Sequence, residues 1–132
     1  MERCEQSWPA RPEHVGAARR AASKAARCLG VEDDVVDAVR LAVSEAVSNV
    51  VVHGYRDAAR GEFTMAVEAE DAELTVTVRD HGCGMRPRMD SPGAGLGLPL
   101  IAQLSDSFSV TEPPEGGTEL SMTFPLRLLN AA

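Results

Sequence analysis

The sequence predicts an α+β fold: a two-layer sandwich with a mixed, largely antiparallel sheet and helices on one face. Three observations predict it. Apolar residues recur at three- and four-residue steps from Val35 to Val50, and from Phe63 onward the period changes to two. The elements then follow in the order β-α-α-β-β-α-β-β. At 132 residues the chain has the length of one domain, and a core can form without disulfides or metal. No internal repeat, low-complexity tract or dividing linker interrupts residues 1–132, so a single domain is expected.

Each element has a local reason. Residues 3–8 suit a first strand, which Pro9 and Pro12 end. An Ala- and Arg-rich helix is expected from about Pro12 to Leu29, with Gly30 placed to terminate it. A second helix opens near Glu32-Asp33-Asp34, where acidic residues suit the positive end of the helix dipole. Its stripe of Val35, Val39, Ala42, Val43, Ala46, Val47 and Val50 is a buried face, and the helix is expected to end at His53-Gly54. Phe63, Met65 and Val67 alternate with polar residues, as do Leu74, Val76 and Val78 after Glu70-Asp71-Ala72-Glu73. That is a hairpin with one buried face. A Gly/Pro-rich stretch from Gly82 to Pro99 leads into a short helix around Leu98–Leu104. Strands near Ser107–Thr111 and Thr118–Pro125 follow, joined by a turn through residues 113–117.

Composition narrows the function. Hydrophobic residues make up 44% and charged residues 25%, which excludes a wholly disordered chain. Only Trp8, Tyr55, Phe63, Phe108 and Phe124 are aromatic, so Val, Leu and Ala must build the core. The formal charge of −7 argues against non-specific nucleic-acid binding, which rests on neutralising phosphates. Residues 1–30 nevertheless carry a net +3, leaving −10 for the rest. That segment reads either as a solvated helix face or as a docking surface for an acidic partner. No apolar run approaches the roughly 20 residues that cross a bilayer, and the first residues lack the apolar stretch of a signal peptide. Cys4, Cys28 and Cys83 cannot all pair internally and lack metal-finger spacing, so reduced cytoplasmic thiols are expected.

Three segments carry chemistry. Gly93-Ala94-Gly95-Leu96-Gly97 precedes the Leu98–Leu104 helix, and a helix behind a glycine loop suits an anion. The dinucleotide fingerprint fails because Leu98 stands where its third glycine belongs. The phosphate loop with Gly-Lys-Ser/Thr fails because Lys24 is the only lysine. Asp80-His81-Gly82-Cys83-Gly84 follows a strand, placing a carboxylate at a turn; a plain Asx-type turn explains it about as well. Glu45 and Asn49 lie one helical turn apart. Together they suit a hard cation such as Mg²⁺, or Glu45 suits a general base, or both belong to an exposed polar stripe.

In this order, Glu45-x-x-x-Asn49, Asp80-x-Gly82-x-Gly84, Gly93-x-Gly95-x-Gly97 and Gly117-Thr118 resemble the four boxes of the GHKL ATPases, whose ATP-binding domain is the Bergerat fold. Residues 41–49 followed by His53-Gly54-Tyr55 are similar to one branch, the bacterial anti-sigma factors that double as serine kinases. The resemblance implies ATP and Mg²⁺ as cofactors, with Asn49 as metal ligand and Glu45 as the acceptor of the substrate serine's proton. It implies that Asp80 bonds the adenine amine, with Gly82 and Gly84 beside the base. It also implies that Gly95 and Gly97 contact phosphate and that Thr118 completes the adenine pocket. The implied partners are a sigma factor and an anti-sigma-factor antagonist, with a homodimer as the candidate assembly. The alternative class is a non-catalytic module whose protein-binding shape depends on nucleotide. His53 reads as a helix-end cap, and His81 and Cys83 as bystanders. Between Gly84 and Gly93 lie only eight residues, a short lid with two prolines that puts phosphoryl transfer in question; Arg86 or Arg88 there suit the γ-phosphate or a solvated loop.

Overall fold

The computed structural model describes residues 2–54, 61–81 and 98–126. Strand β1 (Glu2–Pro9) opens the chain, and a single 3₁₀ turn with Pro12 at its start leads into helix α1 (Val15–Cys28). The expected first helix therefore begins as a tighter turn, suited to a proline that has no N–H to donate. Helix α1 buries only small side chains, Ala18, Ala22, Ser23 and Ala26. Ser23 Oγ satisfies itself by donating to the Arg19 carbonyl at 2.9 Å. Gly30, at φ +78°, ends the segment and donates its N–H to the Arg27 carbonyl at 2.9 Å.

Helix α2 (Asp33–Asn49) is the spine of the molecule. It buries Val35, Val36, Val39, Ala42, Val43, Ala46, Val47 and Asn49, and packs against α1, α3, β3 and β5. Asp34 Oδ1 accepts the Val35 N–H at 2.9 Å, which occupies one donor of the first turn. The helical run does reach Gly54, but its last part, Val50–Gly54, is a wider π turn.

Strands β2 (Glu62–Glu70) and β3 (Glu73–Asp80) form the expected hairpin, with Glu70 opposite Glu73 and Asp71 in the left-handed region at φ 55°. Short polar Asp tolerates that conformation. Helix α3 (Leu98–Leu104), β4 (Ser107–Thr111) and β5 (Thr118–Pro125) complete the order. The sheet runs β1-β2-β3-β5-β4, and all four pairings are antiparallel. One face alternates buried Leu74, Val76, Val78, Leu120, Met122 and Phe124 toward the helices. The other carries Thr75, Thr77, Arg79, Glu119, Ser121 and Thr123, none of them buried. Trp8 stacks on Phe63 with centroids 5.5 Å apart, so two of the few aromatics sit together at the end of the β1–β2 ladder. The rest of the core is chiefly Val, Leu and Ala, as the composition requires.

Candidate nucleotide site

Asp80 ends β3 and Thr118 begins β5, and the antiparallel register sets them directly opposite each other. Both are fully buried, at 0% exposure, on the helix-facing side of the sheet. A carboxylate and a hydroxyl so placed keep their preference for polar partners while water is excluded. Strand alternation explains the aim: Leu74, Val76, Val78 and Asp80 all point inward, so the apolar face of β3 ends in a carboxylate.

The turn before Thr118 is packed unusually close. Gly117 has φ +81°, and a Cβ built there would lie 2.1 Å from the Asp80 carbonyl oxygen. Only glycine fits this approach. Gly116, at φ +99°, closes the turn by donating its N–H to the Pro113 carbonyl at 2.9 Å. On the opposite face Arg79 forms an ion pair with Glu115 of the same turn. The hydrogen bond to Glu115 raises the Arg79 guanidinium above its ordinary value, and the reciprocal bond holds the Glu115 carboxyl below its own. The pair is therefore intact above the ordinary carboxylate value and is lost only as pH falls through the lowered one. His81 lies beyond Asp80 on the exposed side, with Nε2 3.1 Å from Thr64 Oγ1.

Helix α2, packed on β3 and β5, contributes the other candidate residues. Asn49 is 3% exposed and Glu45 half-buried, so Asn49 does not sit on an exposed polar stripe. Asn49 is also the last α-helical residue before the π turn. Such local widenings frequently accompany functional sites. Glu45 and Asn49 are oxygen donors one turn apart. That set suits Mg²⁺, which takes one or two protein ligands and fills its octahedron with phosphate and water. Among the described residues no group of three or more His, Cys, Asp or Glu could cage a metal by itself. Gly82, Gly84, Gly93, Gly95 and Gly97, the lid with Arg86 and Arg88, Cys83 and Tyr55 lie outside the described residues, as does the His53 side chain. Sequence reasoning missed the Arg79–Glu115 pair, because ion pairing between separate segments leaves no periodic signal.

The arrangement defines a class: an α+β sandwich with a buried polar pair at one sheet end and, packed on the same strands, a helix carrying oxygen donors. Residues 8–124 match the family described as the histidine kinase-like ATPase domain. The anti-sigma F factor of Clostridium acetobutylicum is 32% identical over 129 residues, covering 89% of this chain and 90% of that one. The anti-sigma F factor of Bacillus subtilis is 28% identical over 103 residues, covering 68% and 69% respectively. The crystal structure of the RsbU and RsbW domains of Rv1364c from Mycobacterium tuberculosis superposes with a TM-score of 0.74 at 20% identity. It covers 100% of this chain, which spans 35% of that one, and it supports the fold. This chain belongs to the histidine kinase-like ATPase family. ATP binding comes with that membership, and no helix among the described residues is long and apolar enough to cross a membrane.

Proposed function

We propose that this chain is an anti-sigma regulatory factor that binds ATP with Mg²⁺ and phosphorylates a serine of an anti-sigma-factor antagonist in the cytoplasm. The observation that carries the nucleotide reading is the buried Asp80–Thr118 pair at the end of the sheet. Asp80 accepts a hydrogen bond from the adenine amine, and Thr118 supports the base from the facing strand. A guanine would present a carbonyl to that carboxylate, so ATP is preferred over GTP. By the family resemblance, Gly82 and Gly84 would stand beside the base and Gly95 and Gly97 would offer N–H groups to the phosphates. The anti-sigma names of the relatives support a sigma factor as the sequestered partner.

Asn49, with Glu45 one turn before it, would hold Mg²⁺, whose charge offsets that of the phosphates. Glu45 accepts the proton of the serine hydroxyl. The serine Oγ–P bond forms as the bond between Pγ and the bridging β,γ-oxygen breaks, and ADP leaves with that electron pair. Backbone N–H groups of the glycine loop stabilise the transferring group.

Labelled ATP incubated with a candidate antagonist tests this. Glu45→Ala is expected to retain ATP binding and lose about 10²-fold or more in transfer. Asp80→Asn is expected to abolish most of the ATP preference over GTP in calorimetry. A wild type that binds ATP but labels no serine would move the protein to the class of nucleotide-gated binding modules. Equal affinity for ATP and GTP would remove Asp80 from the base site.

A further inference from the structure

We infer that the Arg79–Glu115 ion pair is a positioning device for base recognition, holding the turn before β5 so that Thr118 meets Asp80. The inference rests on the nucleotide reading above. Arg79 and Asp80 are consecutive on β3 and point to opposite faces, Asp80 into the core and Arg79 outward. Glu115 lies three residues before Thr118 in the connecting turn. The two strand ends are thus tied twice, by Asp80 opposite Thr118 and by the Arg79–Glu115 bond on the far side.

The outer tie acts on a turn held otherwise by the bond from the Gly116 N–H to the Pro113 carbonyl and by the packing of Gly117 on Asp80. Gly116 and Gly117 have φ of +99° and +81°, a freedom that lets the chain pass against the Asp80 carbonyl but also admits many other conformations. A charge-assisted bond from the neighbouring strand selects one of them. Glu115 is 63% exposed in its side chain and Arg79 26%, and exposed ion pairs add little to global stability. Arg79 reaches Glu115 through one terminal nitrogen, and its buried Nε has no hydrogen-bond partner among the described residues. A single contact at the surface end of the side chain, with that Nε unsatisfied, is a poor source of global stability, so its role lies in where it holds the turn. The consequence belongs to base selection, where a misplacement of about 1 Å is costly.

Calorimetry with ATP and GTP on wild type, Arg79→Ala, Glu115→Ala, the double alanine variant and Arg79→Lys tests the device, alongside melting without nucleotide. Each single alanine variant is expected to weaken ATP binding about two- to fivefold while leaving weak GTP binding nearly unchanged. The double variant should lose no more than either single, and Arg79→Lys should keep most of the affinity. Nucleotide-free melting should shift by less than about 3 °C. Wild-type ATP affinity in both singles, or losses that add in the double, would overturn the inference alone. Equal loss of ATP and GTP accompanied by a large fall in melting temperature would reduce the pair to a structural contact. A wild type that binds neither nucleotide would overturn the nucleotide site, and this device with it.

Discussion

Gly117 and Gly30 share a left-handed backbone, at φ +81° and +78°, yet they are not equivalent positions. Nothing lies within 4 Å of a Cβ built at Gly30, so Gly30→Ala meets only the backbone penalty, about 1 kcal/mol. At Gly117 the same methyl lands 2.1 Å from the Asp80 carbonyl oxygen, and backbone must move to admit it. Gly117→Ala is expected to cost about 1–3 kcal/mol in urea unfolding and to weaken ATP further by pushing Thr118 away from Asp80. Gly30→Ala should leave ATP affinity intact. If the two variants prove equally mild in both measurements, the close approach has no part in shaping the site. Asp80 and Thr118 were readable as candidates from residue type and order. Their register was not, since it depends on how segments almost 40 residues apart align, and a one-residue slip would turn one of them to the open face.

Elements were more readable than contacts, because periodicity is a local property. The seven-residue α3 and the strands β4 and β5 appear where residue pattern and turn chemistry place them. The π turn and the 3₁₀ turn went unseen because both keep a helical sense of winding and change only the hydrogen-bond step. Helix α1 shows what small residues do at this scale. Ala18, Ala22 and Ala26, each 0% exposed, are its fully buried residues, and α1 packs against α2. A fully buried alanine in a close-packed interior leaves little room for a longer side chain. Ala22→Leu is therefore expected to destabilise by about 1–3 kcal/mol through overpacking, despite adding apolar surface. Chemical denaturation measures it directly. A stabilised variant would mean that the α1–α2 interface holds unfilled space, and the spine would be looser than its burial indicates.

For the whole molecule the governing fact is charge segregation. The chain totals −7, yet residues 1–30 carry +3. Helix α1 contains Arg19, Arg20, Lys24 and Arg27 and no acidic residue. None of these four forms an ion pair among the described residues, whereas Arg3, Arg11, Arg40 and Arg79 all do. Arg20, Lys24 and Arg27 are exposed and spaced at four and three residues, so one face of the helix presents positive charge. That field lies on an element none of the four nucleotide-box segments occupies, and it is available to steer an acidic protein surface. A regulator that holds a sigma factor in one nucleotide state and releases it in another needs contacts whose strength differs between those states. Steering charges set the encounter rate for both. Reversing Arg19 and Arg20 together is expected to slow association with the partners proposed above, a sigma factor or an antagonist, and to flatten its salt dependence, while ATP affinity stays at the wild-type value. Stopped-flow or surface-binding kinetics across a salt series reads the effect. Unchanged association in the double reversal would make this face a solvated helix surface, and the partner would have to dock elsewhere on the acidic remainder of the chain.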